Sequence, residues 1–139
     1  VARFGKKGRG RGELDEPMGI VAAEDGKLYV ADAGNRRIVV LSSDGAELAS
    51  WAVPGWKPEV YREPYLVVLP GGLVIASDPT GDRLLYFEPS GRLVREQPTG
   101  PGSNPSGIAL AGKDRLLVSA LKLDKIVELP LADVPASAR

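Results

Sequence analysis

Pro17-Met18-Gly19-Ile20-Val21, followed by Asp25-Gly26-Lys27-Leu28-Tyr29-Val30-Ala31-Asp32 and then Arg37-Ile38, decides the architecture because the chain repeats it. The opening returns as Pro64-Tyr65-Leu66-Val67-Val68 and as Pro105-Ser106-Gly107-Ile108-Ala109. The starts are spaced by 47 residues (17 to 64) and 41 residues (64 to 105), within the roughly 40–50 residues of a four-stranded repeat unit. A unit of this size cannot bury its apolar face without a neighbour, so the repeat predicts stacked β-sheets.

Composition narrows the chemistry. At 139 residues the chain has the length of one domain, long enough to bury a core if the fold closes on itself. Lys plus Arg and Asp plus Glu are equal at 18 each, so net charge gives no pull toward nucleic acid or anionic membrane. There is no Cys, hence no disulfide framework and no thiolate. There is no His, which removes the commonest zinc ligand and the commonest general base. No stretch approaches the roughly 18–20 apolar residues of a membrane span, so the segment reads as a soluble domain without membrane contact. The chain opens with Val rather than Met, so targeting or membrane segments of a longer parent would lie out of view. The compartment is left open.

Seventeen Gly and twelve Pro punctuate the chain too often for long helices. Between them stand Leu28–Ala31, Ile38–Leu41, Leu66–Leu69 and Leu84–Phe87, short runs of β-branched, aromatic and leucine residues that read as strands. Asp25-Gly26, Asp44-Gly45, Pro70-Gly71-Gly72 and Ser90-Gly91 supply the turns of an antiparallel meander. From 113 to 129 the pattern also fits a helix with Leu116, Ala120, Leu123 and Val127 on one face. The repeat decides for two strands: 88 residues on, Pro17 becomes Pro105, Ile20 becomes Ile108, Val30 becomes Val118 and Ile38 becomes Ile126.

The expected strands are Gly19–Ala23, Leu28–Asp32, Arg37–Ser42 and Glu47–Ala52 in the first unit. The second unit holds Tyr65–Leu69, Leu73–Ser77, Arg83–Glu88 and Arg92–Glu96. The third holds Gly107–Leu110, Arg115–Ala120 and Lys125–Leu129, and an orphan strand, Val1–Phe4, precedes them all. Repeats therefore occupy 1–131, with a polar tail at 132–139. The orphan matches the end of a unit, so it completes the last unit of a ring. Three propeller blades are too few to close, since rings run from about four to eight. Either two copies form a six-bladed homodimer, each first strand completing the other's last blade, or the remaining blades belong to a longer parent chain.

From Gly12-Glu13-Leu14-Asp15-Glu16-Pro17 through Asp32-Ala33-Gly34-Asn35-Arg36-Arg37-Ile38 the first unit resembles a nearly complete NHL repeat. The second keeps Pro64, Asp78, Arg83 and Leu84, loses the Gly after Pro, and reads as having one extra residue between Leu73 and Asp78. The third keeps Pro105, Gly107 and Ile108 but carries Ala120 for Asp32 and Leu123 for Asn35. The resemblance implies an all-β fold of NHL-type β-propeller blades, three four-stranded blades per chain, half of a six-bladed ring. It implies functions that range over protein binding, RNA binding and a few metal-dependent lyases and lactonases.

Asp32 and Asp78 are the candidate metal ligands, as hard carboxylate oxygens suited to Ca²⁺ at a loop face. The competing reading has Asp32 and Asn35 capping the turn between two strands while Arg37 packs between blades; as the repeat's own residues they fit that role better. Lys6, Lys7, Arg9 and Arg11, with Arg3 nearby, form a basic Gly-rich loop that could contact phosphates. It lacks adjacent aromatic platforms and reads as a flexible solvated linker. Trp51 reads as core, whereas Trp56, followed by Lys57, reads as a surface residue for a ligand or partner. The expected function is a non-catalytic scaffold or recognition module for a protein partner, one domain of a larger bacterial protein. The rivals are a calcium-dependent lactonase or lyase and nucleic-acid binding through the basic loop.

Overall fold

The computed structural model describes residues 3–57 and 63–131. Part of the expected Val1–Phe4 strand and the whole 132–139 tail lie outside the described residues, and Arg3 and Phe4 are irregular rather than extended in a sheet. A short parallel pair, β1 (Lys6–Lys7) with β2 (Glu13–Leu14), comes first. The first sheet is an antiparallel meander of β3 (Pro17–Ala22), β4 (Leu28–Asp32), β5 (Arg37–Leu41) and β6 (Glu47–Ala52). The second has β7 (Leu66–Val68), β8 (Val74–Asp78), β9 (Arg83–Phe87) and β10 (Leu93–Pro98) in the same order. The third has three strands, β11 (Pro105–Ala111), β12 (Arg115–Ala120) and β13 (Lys125–Pro130). The 113–129 stretch is thus two strands, as the repeat predicts.

Strand pairing corrects one detail of the repeat. β8 pairs Val74 with Phe87 and Asp78 with Arg83, as β4 pairs Leu28 with Leu41 and Asp32 with Arg37. Val74, and not Leu73, is therefore the counterpart of Leu28, and the offset is a constant 46 from Ile20–Leu66 to Gly45–Gly91. No extra residue sits between Leu73 and Asp78. The one-residue difference lies just after the proline, where β3 and β11 each carry a register shift and β7 has none. Gly19 makes the bulge in β3 feasible, because a Cβ there would stand 2.9 Å from the Pro64 carbonyl oxygen. The second unit has one residue fewer between Pro64 and Leu66 than the first has between Pro17 and Ile20, so it has no counterpart of that glycine and the strand runs straight.

Successive residues of a strand face opposite sides, so each sheet offers two apolar faces. Tyr29, Ala31, Ile38 and Val40 from the first sheet meet Val74, Ala76, Leu85 and Phe87 from the second. Ile75, Leu84 and Tyr86, on the other face of the second sheet, meet Leu116 and Val118 of the third. The second sheet is covered on both sides, which explains why Leu73-Val74-Ile75-Ala76 is apolar without alternation. Trp51 lies edge-on to Tyr29, with centroids 6.4 Å apart, and tilted against Phe87 at 6.0 Å.

Tyr86 carries a testable consequence. Its ring lies under the Arg95 guanidinium, 5.2 Å from the ring centroid, and its hydroxyl bonds to the Gln97 carboxamide oxygen. Burial pushes the phenol up to about 12. The folded chain therefore holds this proton more tightly than the unfolded one. The associated stability is complete below the unfolded value near 10 and is lost as pH rises from there through 12. An absorbance titration at the phenolate band is expected to show Tyr86 ionising well above the ordinary phenol range, and Tyr86→Phe is expected to remove that step.

Candidate functional site

The Asp and Arg residues that recur along the repeat come together at the ends of β4–β5 and β8–β9. Asp32 ends β4, Arg37 starts β5, and a 3-10 turn over Ala33–Asn35 joins them, closing with Arg36 in the left-handed region. The fully buried Asp32 accepts from the Asp15 backbone N–H at Oδ1 (2.7 Å) and from Asn35 Nδ2 (2.8 Å) and Arg37 Nε (2.7 Å) at Oδ2. Arg37 Nη2 goes on to donate to the Glu13 carbonyl at 2.7 Å and the Gly10 carbonyl at 3.2 Å, and Asn35 also donates to the Gly8 carbonyl at 2.8 Å. The cluster is a clamp: its carboxylate orients two donors that grip the loop from Gly8 to Asp15. Asn35 spends its amide on Asp32 and that loop, so the expected cap of its own turn is replaced by a longer-range bond.

In the second sheet, Asp78 is fully buried, accepts from Arg83 Nε at 2.8 Å, and accepts from the Gly81 N–H at 3.2 Å. Arg83 also reaches Glu96 at 2.5 Å. The third sheet has Ala120 and Lys125 at these places. There the preceding turn takes over: Asp82 accepts from the Gly102 and Asn104 backbone N–H groups, each at 2.7 Å. Those bonds, that from Asn104 foremost, hold the Asp82 carboxyl below its usual range. Sequence reasoning missed Asp82. Its signal is its place one residue before Arg83, where φ is 51° and Asp is among the few residues that fit.

Among the described residues no group of three or more His, Cys, Asp or Glu side chains is arranged to hold a metal ion. Asp32 and Asp78 lie on different sheets, each engaged by its own arginine.

The basic loop is folded, which corrects the expectation of a flexible linker. Gly8 N–H donates to the Leu14 carbonyl at 3.0 Å, and Gly10 and Gly12 N–H groups donate to the Glu13 and Glu47 carboxylates at 2.8 and 2.7 Å. Lys6 pairs with Glu13 at 3.2 Å, and Arg11 donates to the Glu47 carbonyl at 2.6 Å. Lys7 and Arg9 remain exposed, with no ion pair among the described residues. The Glu13 carboxyl is held low by the Gly10 N–H and by Lys6.

Trp51 packs on the core as expected, whereas Trp56, expected at the surface, is buried in it. Trp56 is 4% exposed and donates Nε1–H to the Ser77 carbonyl at 2.9 Å. Bonds from Val53 N–H to the Arg36 carbonyl and from Trp56 N–H to the Val53 carbonyl turn the chain back, driving the indole between the first two sheets. Trp51 is half-buried, and its Nε1 has no partner among the described residues. Lys57 is exposed beside a crevice floored by Trp56, Pro64 and Pro79.

No protein-family model matches the chain. Curated relatives do: protein lin-41 of Caenorhabditis elegans is 42% identical over 45 residues, 32% of this chain and 4% of that protein. Protein brain tumor of Drosophila melanogaster is 25% identical over 129 residues, 90% of this chain and 12% of that protein. The chain thus spans a small part of these relatives' length. Among solved structures, a streptogramin B lyase superposes with a TM-score of 0.73 at 21% identity over 93% of this chain and 41% of its own. A gluconolactonase from Xanthomonas campestris superposes with a TM-score of 0.58 at 26% identity over 76% of this chain and 35% of its own. Among the described residues no helix is long and apolar enough to cross a membrane. Stacked antiparallel meanders and these neighbours together make the fold all-β, of the β-propeller type.

Proposed function

We propose that the chain is a non-catalytic recognition module of the NHL-type propeller class, part of a larger bacterial protein, presenting loops on a rigid stack of blades to a protein partner. The observation that carries this reading is the use made of the buried carboxylates. Asp32 and Asp78 are committed to Arg37 and Arg83, so the recurring polar residues serve the scaffold and leave its loops free to vary. The partial matches to lin-41 and brain tumor, NHL-repeat proteins, support it. The lyase and lactonase neighbours support an enzyme only at the level of fold. The basic loop favours nucleic acid weakly, because two of its cations are engaged within the protein.

A calorimetric Ca²⁺ titration, a lactone hydrolysis assay and a polyuridylate binding assay at two salt concentrations test these readings together. The expected result is no heat beyond dilution, hydrolysis at the buffer rate and no salt-dependent RNA binding. Calcium-dependent turnover lost in Asp78→Asn replaces the reading with the enzyme. RNA affinity falling steeply with salt and reduced by Lys7→Ala/Arg9→Ala replaces it with nucleic-acid binding.

A further inference from the structure

Each end of the sheet stack exposes an apolar residue whose counterpart in the second sheet is buried, while Val30, Val39 and Leu41 on the outer face of the first sheet are buried with Leu14 packed on them. Ile126 on β13 is 66% exposed, whereas its repeat counterparts Ile38 and Leu84 are both 0%. With Gly107, Ala109, Leu117 and Ser119 it lines a shallow apolar depression on the outer face of the third sheet. At the opposite end Ile20 on β3 is 65% exposed, against 7% for its counterpart Leu66.

The N-terminal segment shows what belongs on the third sheet. In the middle of the stack, Trp51 of β6 packs its ring on Gly91 of the second sheet, where a Cβ would stand 2.8 Å from the indole. Phe4 packs in the same way on Gly45, the counterpart of Gly91, where a Cβ would stand 2.3 Å from the phenyl ring. Both glycines share one conformation, φ 88° and 86°. Phe4 therefore sits against the first sheet as the fourth strand of a preceding sheet would place its aromatic. Trp51 lies opposite Ile38 in the β5–β6 pairing. By the same register Phe4 belongs opposite Ile126, on the edge of β13 that no strand covers among the described residues.

A polar contact points the same way. Asp82 grips the loop leading into the next sheet through the Gly102 and Asn104 N–H groups. Its counterpart Asp124, at φ 50°, makes no hydrogen bond or ion pair among the described residues. The counterpart of Asn104 is Glu16, which holds the same left-handed conformation, φ 49° in each.

We propose that a second copy of this chain covers this face. Its first sheet stacks on the outer face of the third, its segment around Phe4 runs along β13 as the missing fourth strand, and its Glu16 backbone N–H donates to the Asp124 carboxylate as that of Asn104 does to Asp82. What each open end lacks is what the other end carries. The contact is head-to-tail, and two such contacts close a ring of two copies. This assembly rests on the propeller-type fold and not on the absence of catalysis, so its test reads mass rather than turnover.

The test is light scattering after size exclusion of the chain from 1 to 100 μM, together with Ile126→Asp. The chain is expected at twice 14.7 kDa. Ile126→Asp, at an exposed site, is expected to run as a monomer with an unchanged circular dichroism spectrum and at least a 100-fold weaker dimer. Because the chain has no Cys, Phe4→Cys/Ile126→Cys is expected to oxidise to a covalent dimer, whereas Phe4→Cys/Leu121→Cys is not. A monomer at every concentration overturns the proposal and assigns the face to another sheet of a longer chain. A mass above two copies overturns the closed pair. A dimer insensitive to Ile126→Asp overturns the assigned face.

Discussion

Asp32→Ala is expected to lower the stability of the chain by about 3 kcal/mol, the lower part of the range for removing one partner of a buried ion pair. The carboxylate is fully buried, and three donors converge on it, from Asp15, Asn35 and Arg37. Without it the Arg37 guanidinium keeps only carbonyl partners, at Glu13 and Gly10. The lower figure follows because the Arg37 side chain is 16% exposed and can recruit water. Asp78→Ala is expected to cost less, since Arg83 retains Glu96 and its side chain is 31% exposed. Urea unfolding with an unchanged denaturant slope measures both. Equal losses for the two variants would show that the arginine's remaining partners do not matter. The chain has its own control, because the third sheet forms with Ala120 and Lys125 at these positions and leaves the loop to Asp82.

Trp56→Ala is expected to cost about 3–5 kcal/mol, the usual loss for emptying a buried aromatic site. Part of that loss is the Ser77 carbonyl left without its indole donor, about 1–3 kcal/mol. Trp56→Phe separates the terms, retaining much of the volume while deleting the hydrogen bond. For a domain of about 5–15 kcal/mol total stability, the alanine variant is expected to unfold at distinctly lower urea. Had Trp56 been the surface residue for a ligand or partner that its neighbour Lys57 suggests, the change would stay within about 0.5 kcal/mol. A neutral result would therefore return the residue to the surface.

These two residues mark where sequence reading succeeds and where it stops. Strand positions were legible because the signals are local: two-residue alternation, Asp-Gly and Ser-Gly turns, and a repeat that overruled the helical spacing between 113 and 129. The Asp-Asn-Arg set was legible as a structural feature, but its grip on the loop from Gly8 to Asp15 was not, since those partners lie 17 to 27 residues away. Trp51 was legible as core, but Trp56, after the Pro54-Gly55 turn, was not. A Pro-Gly turn says that the chain bends and says nothing of which side of a sheet it bends toward.

By itself the sequence determined the all-β class, the three repeats and most strand limits. Short-range hydrogen bonding and side-chain alternation write those features into neighbouring residues. Only the tertiary structure decided that the bulge follows Pro17 and Pro105 but not Pro64, that the basic loop is clamped, and that Trp56 is core. It also placed Phe4 on Gly45 as Trp51 sits on Gly91. Each of these depends on a contact between residues far apart in the chain, where the free energy comes from burial and from closing hydrogen bonds that no local pattern records.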